Sequence, residues 1–394
     1  MDKQFLFTAL YYICIALCST LFGYMSVSRG KLRNSDKNIL EFKIKSTSTI
    51  NKTLYTISAL IIIISLVFTN KGVDRPTYVL LYENVTLEQV FDFQNQEPGF
   101  MFINLILKII FGKNKYITFI FFYSLMVINV YYVIYKLRDN LNVPLSIFIF
   151  YVLFCIQSIS LVRIYVAGSI LLVATYQLLI RHNAKSCFLW IIAVSIHYSA
   201  LLYGLFYFVY AFYQCFNDKY KVKTILLIVL FAIILIAIIL LVPYLKNIPA
   251  ISRYKDYFEN ISFSQIGFLQ FALYLPLVVL SIYLVDTFGK NRQEYIYMAN
   301  VIPCFLFGMI SYMITILGRS SALFMYPLVI GIPYIYEFLN CRNRICKSNN
   351  KLLCHKEYVL INQLIMLLLV LYILFKYVLY MLQYIELDGI GIIW

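Results

Sequence analysis

Residues 116–136, YITFIFFYSLMVINVYYVIYK, decide what kind of protein this is. Before the closing Lys136 the stretch holds no charged residue, and its apolar positions run on without the polar face of a soluble surface helix. As a helix it is about 31 Å long, close to the ~30 Å hydrocarbon thickness of a bilayer. A helix also satisfies its own backbone hydrogen bonds in lipid, where no water can. The reading is a membrane span.

Eleven further blocks of this kind lie at 5–25, 53–69, 97–112, 144–160, 163–180, 187–211, 224–242, 267–285, 295–316, 320–338 and 358–382. Of 394 residues, 62% are hydrophobic and only 13% are charged, too little polar cover for a soluble domain of this length. The expected fold is an all-α polytopic membrane protein with about 10–12 transmembrane helices, one membrane domain over 1–394. The first segment is long enough to be a retained span rather than a removable signal.

Charge supplies orientation. The formal net charge of +15 is concentrated in loops beside spans. Loop 26–52 carries Arg29, Lys31, Arg33, Lys37, Lys43, Lys45 and Lys52; loop 339–357 carries Arg342, Arg344, Lys347, Lys351 and Lys356. This is the positive-inside pattern, which makes both loops cytoplasmic. It also argues against nucleic acid as a partner, which calls for a basic face rather than basic loop ends. Loop 70–98 carries Asp74, Glu83, Glu88, Asp92 and Glu97 against Lys71 and Arg75, so it is placed outside, with both termini.

Two segments leave the topology open. Segment 97–112 is short, begins Glu97-Pro98-Gly99 and contains Lys108, while segment 187–211 carries His197 near its middle. If both cross, there are twelve spans; if both dip in and return, there are ten. The ten-span arrangement puts Arg163 on the outer face beside Asp74 and Glu97, and that chemistry favours it. Loop 243–266 is the other sizeable outer feature, mixing Lys246, Arg253 and Lys255 with Tyr244, Tyr254, Tyr257 and Phe258. It reads as an interfacial helix with aromatic anchors, or as a platform for sugar rings and phosphate.

Nine cysteines are scattered without a C-x-x-C pair. Cys341, Cys346, Cys354 and His355 share one loop, but their spacing fits no common zinc template. Reduced thiols are the expectation, with no metal and no cofactor.

Charged groups at membrane depth are costly and mark pathways or sites. Arg163 opens a span in Leu161-Val162-Arg163-Ile164-Tyr165, His197 lies in Ser195-Ile196-His197-Tyr198-Ser199, and Arg319 follows Gly318 before Ser320-Ser321. Asp74 and Glu97 open and close the acidic loop. Each has a plainer account: arginines snorkel to headgroups, a histidine bonds to a neighbouring helix, and loop acids stay solvated. Lys108 and Lys376 read as snorkelling lysines. Together, two arginines and a histidine near an outer surface suit a phosphate or pyrophosphate ligand, because arginine binds phosphate bidentately and keeps its charge. A nearby carboxylate or histidine could deprotonate a hydroxyl. There is no Gly-rich phosphate loop, H-E-x-x-H or G-x-S-x-G, and the acidic loop has no Asp-x-Asp pair.

Four short elements carry a resemblance. They are Asp74 followed by Tyr78, Glu97-Pro98-Gly99-Phe100, Arg163 with Ala167, and His197 with Ser199, Ala200 and Leu201. In that order the chain resembles the EpsG-like, Wzy-type polysaccharide repeat-unit polymerases. Ile164 stands where the family usually has glutamine. The elements span roughly 70–202, and the C-terminal half adds only hydropathy and the late Arg319.

The resemblance implies a GT-C-like, metal-independent glycosyltransferase of the bacterial plasma (inner) membrane. It would join undecaprenyl- or other polyprenyl-pyrophosphate-linked repeat units at the outer leaflet. Arg163, Arg319 and Arg253 would hold pyrophosphate; Asp74, Glu97 or His197 would serve the acceptor hydroxyl; Tyr78 would contact substrate. Its partners would be the lipid-linked glycan, membrane lipid, a chain-length regulator and other assembly proteins. The alternatives are a flippase or transporter of lipid-linked oligosaccharide, or another membrane glycosyl- or acyltransferase. The sugars, the linkage, the oligomeric state, and whether the product is O-antigen (lipopolysaccharide), capsule or exopolysaccharide stay open.

Overall fold

A computed structural model describes residues 3–29, 48–69, 72–92, 96–179, 181, 184–204, 207, 315–337 and 352–387. The expected spans 224–242, 267–285 and most of 295–316, the loop 243–266 with Arg253, and Cys341 and Cys346 lie outside the described residues. The chain divides into two compact units. The first is Met1–Tyr78, Phe119–Val162 and Val329–Trp394; the second is Val79–Thr118 and Arg163–Leu328.

In the first unit the opening helix presents a large apolar face outward, while Ile62, Leu66, Phe122, Phe150 and Phe154 fill the interior. Helix α1 (Lys3–Ser26) turns Phe7, Leu10, Ile13, Leu17, Leu21 and Tyr24 outward and buries Thr8, Tyr12, Ala16, Ser19, Gly23 and Ser26. Water would drive the large apolar residues inward, whereas lipid accepts them and leaves small and hydroxylated residues to make close helix contacts. Helix α2 (Lys52–Val67) packs on α1 in this way, its Ser58 hydroxyl donating to the Ser19 carbonyl at 2.7 Å. Asn51 caps α2, accepting from the backbone N–H groups of Thr53 and Leu54.

Between α1 and α2 the chain is not simply loop. Strands β1 (Val27–Arg29) and β2 (Ser48–Ile50) pair antiparallel with Val27 opposite Ile50, a three-residue ladder in an otherwise helical set of described residues. The acidic segment 70–98 is likewise structured, holding α3 (Arg75–Asn84) and α4 (Leu87–Val90). Arg75 anchors its start. Its buried guanidinium donates to the carbonyls of Val67 (2.7 Å) and Leu66 at the end of α2 and lies 3.8 Å over the Phe119 ring. A cation on the last carbonyls of a helix offsets the dipole, and the ring face adds attraction.

Helix α6 (Tyr116–Leu137) realises the opening stretch, and its residues from Phe119 belong to this unit. The expected span 144–160 is α7 (Val143–Phe150) and α8 (Ile156–Ser158) joined by a π-helical turn, Tyr151–Cys155. Near the C-terminus come α12 (328–337) and α13 (Leu352–Leu387). Lys376 on α13 is 2% exposed, so it does not snorkel outward as its sequence position suggested. Among the described residues, two helices are long and apolar enough to cross a bilayer, Phe7–Ser26 and Tyr116–Leu137.

In the second unit α5 (Pro98–Phe111) has 14 residues. At ~1.5 Å per residue it is about 21 Å long, short of a ~30 Å core. Lys108 on α5 donates to the carbonyls of Glu83 (2.8 Å) and Val85 (3.2 Å), and the Tyr82 hydroxyl donates to the Gly112 carbonyl at 2.7 Å. Lys108 is therefore a cap for α3 rather than a snorkelling lysine. Gly112 ends α5 at φ 65° and ψ −136°, with nothing within 4 Å of where a Cβ would stand. Gly112→Ala should thus act through backbone strain alone, costing about 1–2 kcal/mol. A small drop in thermal stability in detergent with full activity is expected; no change in stability would contradict it.

Helices α9 (Val162–Leu179) and α10 (Lys185–Ile196) follow, and α10 gives way at His197 to a 3-10 turn, Tyr198–Tyr203. Segment 187–211, whose crossing the sequence left open, is thus broken within its length, with His197 extended at φ −153° and ψ 118°. The expected segment 320–338 is also interrupted. Helix α11 (Thr315–Met325) stops at a turn of Tyr326 and Pro327, because proline has no N–H to continue the ladder. Tyr326 packs back on α9, its hydroxyl donating to the Tyr165 carbonyl at 2.7 Å, against Gly168. Tyr203 pairs with the Thr175 hydroxyl at 2.7 Å and stacks on Phe324. The elements bearing Arg163, His197 and Arg319 are thereby packed together.

Candidate active site

Glu97 precedes a proline, and proline sterics push the residue before it into extended conformation. It stands at φ −79° and ψ 118° as the N-cap of α5, with Pro98 in the first helical turn. Its side chain does not cap its own helix. The carboxylate turns instead to two other elements. Oε2 accepts from Nη1 of Arg163 in the first turn of α9, and Oε1 meets Nδ1 of His197 at 3.2 Å.

Burial assigns the parts. The Glu97 side chain is 1% exposed, against 22% for Arg163 and 18% for His197. A carboxylate so buried is tolerable only with a cation and hydrogen-bond donors, and both are present. The positive N-terminal end of α5 favours its charge as well. The same carboxylate offsets the otherwise unfavourable placing of a cation, Arg163, at the N-terminus of α9. The Arg163 guanidinium also lies 5.4 Å from the centre of the Phe100 ring.

The contact also sets the chemistry of the imidazole. A neutral histidine that donates from Nδ1 to a carboxylate carries its lone pair on Nε2. Glu97 thus orients the ring and selects its tautomer, as a carboxylate does behind a catalytic histidine. The arrangement can hold an anion at a guanidinium and take a proton at an imidazole, side by side.

Arg163 and His197, which lie 66 and 100 residues after Glu97 in sequence, meet it in the second unit. Arg319 lies on α11 of the same unit. Asp74 belongs to the first unit, immediately before α3, where its backbone carbonyl accepts from Tyr78 N–H at 3.0 Å. Tyr78, expected to contact substrate, lies on α3 in the first unit and is buried. Arg253 lies outside the described residues. The sequence reading quoted Gly99 within its Glu-Pro-Gly-aromatic element and Tyr198 beside His197 but gave neither a role, and it did not single out Gln96.

Lipid-length apolar helices, outward apolar faces and a buried carboxylate tied to an arginine and a histidine define a helical membrane protein with a polar site. The sequence profile of the EpsG family matches residues 52–389, most of the chain. The protein belongs to the EpsG family, membrane proteins of polysaccharide biosynthesis. The match runs on through the C-terminal half that the four short elements did not reach. No curated protein and no solved structure matches the chain.

Proposed function

We propose that the protein polymerises polyprenyl-pyrophosphate-linked oligosaccharide repeat units at the outer leaflet of the bacterial plasma membrane, as a multi-pass enzyme. One observation carries this reading: a single buried carboxylate holds an arginine and a histidine together. The reaction needs that pair. A hydroxyl of the acceptor repeat unit attacks the anomeric carbon of the growing glycan, forming a C–O bond. The bond from that carbon to the pyrophosphate oxygen breaks, and the polyprenyl pyrophosphate departs with the electron pair. His197 takes the hydroxyl proton at Nε2, and Arg163 meets the charge developing on the leaving group. Glu97 is then the holder of both rather than the base. Arg319 on α11, and Arg253, are proposed as further phosphate ligands.

The chemistry is proposed to run without metal or nucleotide sugar. Purified protein with lipid-linked repeat units should lengthen glycan at an unchanged rate in excess EDTA; loss of the reaction, restored by a divalent cation, would overturn that part. The reading as a whole is tested by glycan chain length in cells lacking the gene. Complementation with the unaltered gene should restore long polymer, and His197→Ala should leave single repeat units exported on the carrier. Repeat units retained on the cytoplasmic leaflet of the deletion strain would instead make the protein a translocator.

A further inference from the structure

The chain around Glu97 and the chain around His197 meet at more than one point, and the points have an order. Tyr198 donates its hydroxyl to the Gln96 carbonyl at 3.1 Å. Glu97 meets His197 at 3.2 Å. Gly99 abuts Ser195: a Cβ on Gly99 would stand 2.8 Å from the Ser195 Cβ and 2.9 Å from its carbonyl oxygen. As one number rises the other falls in equal steps, so residues 96–99 and 195–198 run antiparallel across each other. The Glu97–His197 contact is the middle rung of three.

The outer rungs explain how the middle one is held. Ser195 is in the last turn of α10, and its carbonyl cannot swing aside as a side-chain tip can. The N-terminus of α5 therefore reaches α10 only because residue 99 has no side chain. At the other end His197 is the C-cap of α10: its N–H makes the last ladder bond, to the Ala193 carbonyl at 2.9 Å, and its backbone then turns extended, out of the helix. The neighbouring Tyr198 supplies a fixed point by bonding a main-chain carbonyl next to Glu97.

We infer that Gly99 and Tyr198 are positioning residues, which clamp Glu97 onto His197 Nδ1 and so set the tautomer and direction of the imidazole. This deepens the reading of His197 as the proton acceptor and rests on it for its consequence in catalysis. The clamp itself does not depend on what the protein transfers. Two separate readouts follow.

The chain has three histidines, so His182→Asn with His355→Asn leaves His197 alone. With ¹⁵N-labelled histidine in lipid nanodiscs, the neutral ring should give the resonance pattern of an Nδ1–H tautomer. Tyr198→Phe keeps the aromatic ring and removes only the hydroxyl; it should shift the pattern toward the Nε2–H form, as Glu97→Ala does more completely. In the polymerisation assay Tyr198→Phe should lower kcat about tenfold, roughly the effect of one lost hydrogen bond, and leave KM for the lipid-linked unit unchanged. Gly99→Ala should act in the same direction and more strongly; if it does not fold, Tyr198→Phe still decides. An unshifted tautomer pattern with unchanged kcat in Tyr198→Phe would overturn the clamp. A shifted pattern in a protein that makes no polymer would leave the clamp standing and sink the polymerase.

Discussion

Arg163→Ala is expected to slow polymer formation by about 10²–10³-fold, the usual effect of removing one preorganised group that stabilises charge in a transition state. The argument rests on position. Arg163 is one-fifth exposed while its partner Glu97 is almost completely buried, so the guanidinium is the member of the pair that can also face a ligand. The substitution has a second effect, which must be separated from the first. Without Arg163 the Glu97 carboxylate loses its cation, and breaking a buried pair from one side costs about 3–5 kcal/mol of stability. Arg163→Ala with Glu97→Gln removes that buried charge and should recover thermal stability while remaining inactive. Arg163→Lys keeps a charge without the planar fork and should fall between. Normal polymer from the stable double variant would show that Arg163 serves the fold alone.

His197→Gln is expected to cost about 10²–10⁴-fold, the range for loss of a general base. Glutamine can still donate a hydrogen bond toward Glu97, but it has no group able to accept a proton. The comparison therefore separates a histidine that only ties α10 to α5 from one that moves a proton. In the unaltered enzyme, activity should fall as acid protonates the imidazole, because a charged ring cannot act as base. In His197→Gln that acid limb should vanish with the rate. Wild-type rates in His197→Gln would reduce the histidine to a structural tie.

Much of this was legible beforehand. The membrane class followed from blocks such as 116–136, since the length of an apolar helix and the thickness of a bilayer are local quantities. The helices at 52–67, 98–111, 116–137 and 162–179 lie within a few residues of their expected places for the same reason. Arg163, Glu97 and His197 could be named as candidates because charge in an apolar setting is conspicuous in a sequence. The family could be named because four short elements keep their order.

What the sequence could not give was direction and partnership. It offered Glu97, Asp74 and His197 as equal candidates for the base, since each is a titratable group near an outer surface. Burial distinguishes Glu97 from His197: both Glu97 carboxylate oxygens are engaged and the side chain is 1% exposed, and on this the proposal of His197 as the base rests. Nothing local foretold the break of α10 at His197, because Ser195-Ile196-His197-Tyr198 has no proline or glycine. The extended backbone there coincides with contacts to residues 96 and 97, about a hundred positions away. Lys376 read as a snorkelling lysine and is buried, and Arg75 read as a loop charge and is a helix cap, by the same rule. Composition and spacing fix how a segment meets its solvent. Which polar groups meet one another depends on packing between distant segments, and only the tertiary structure decides that.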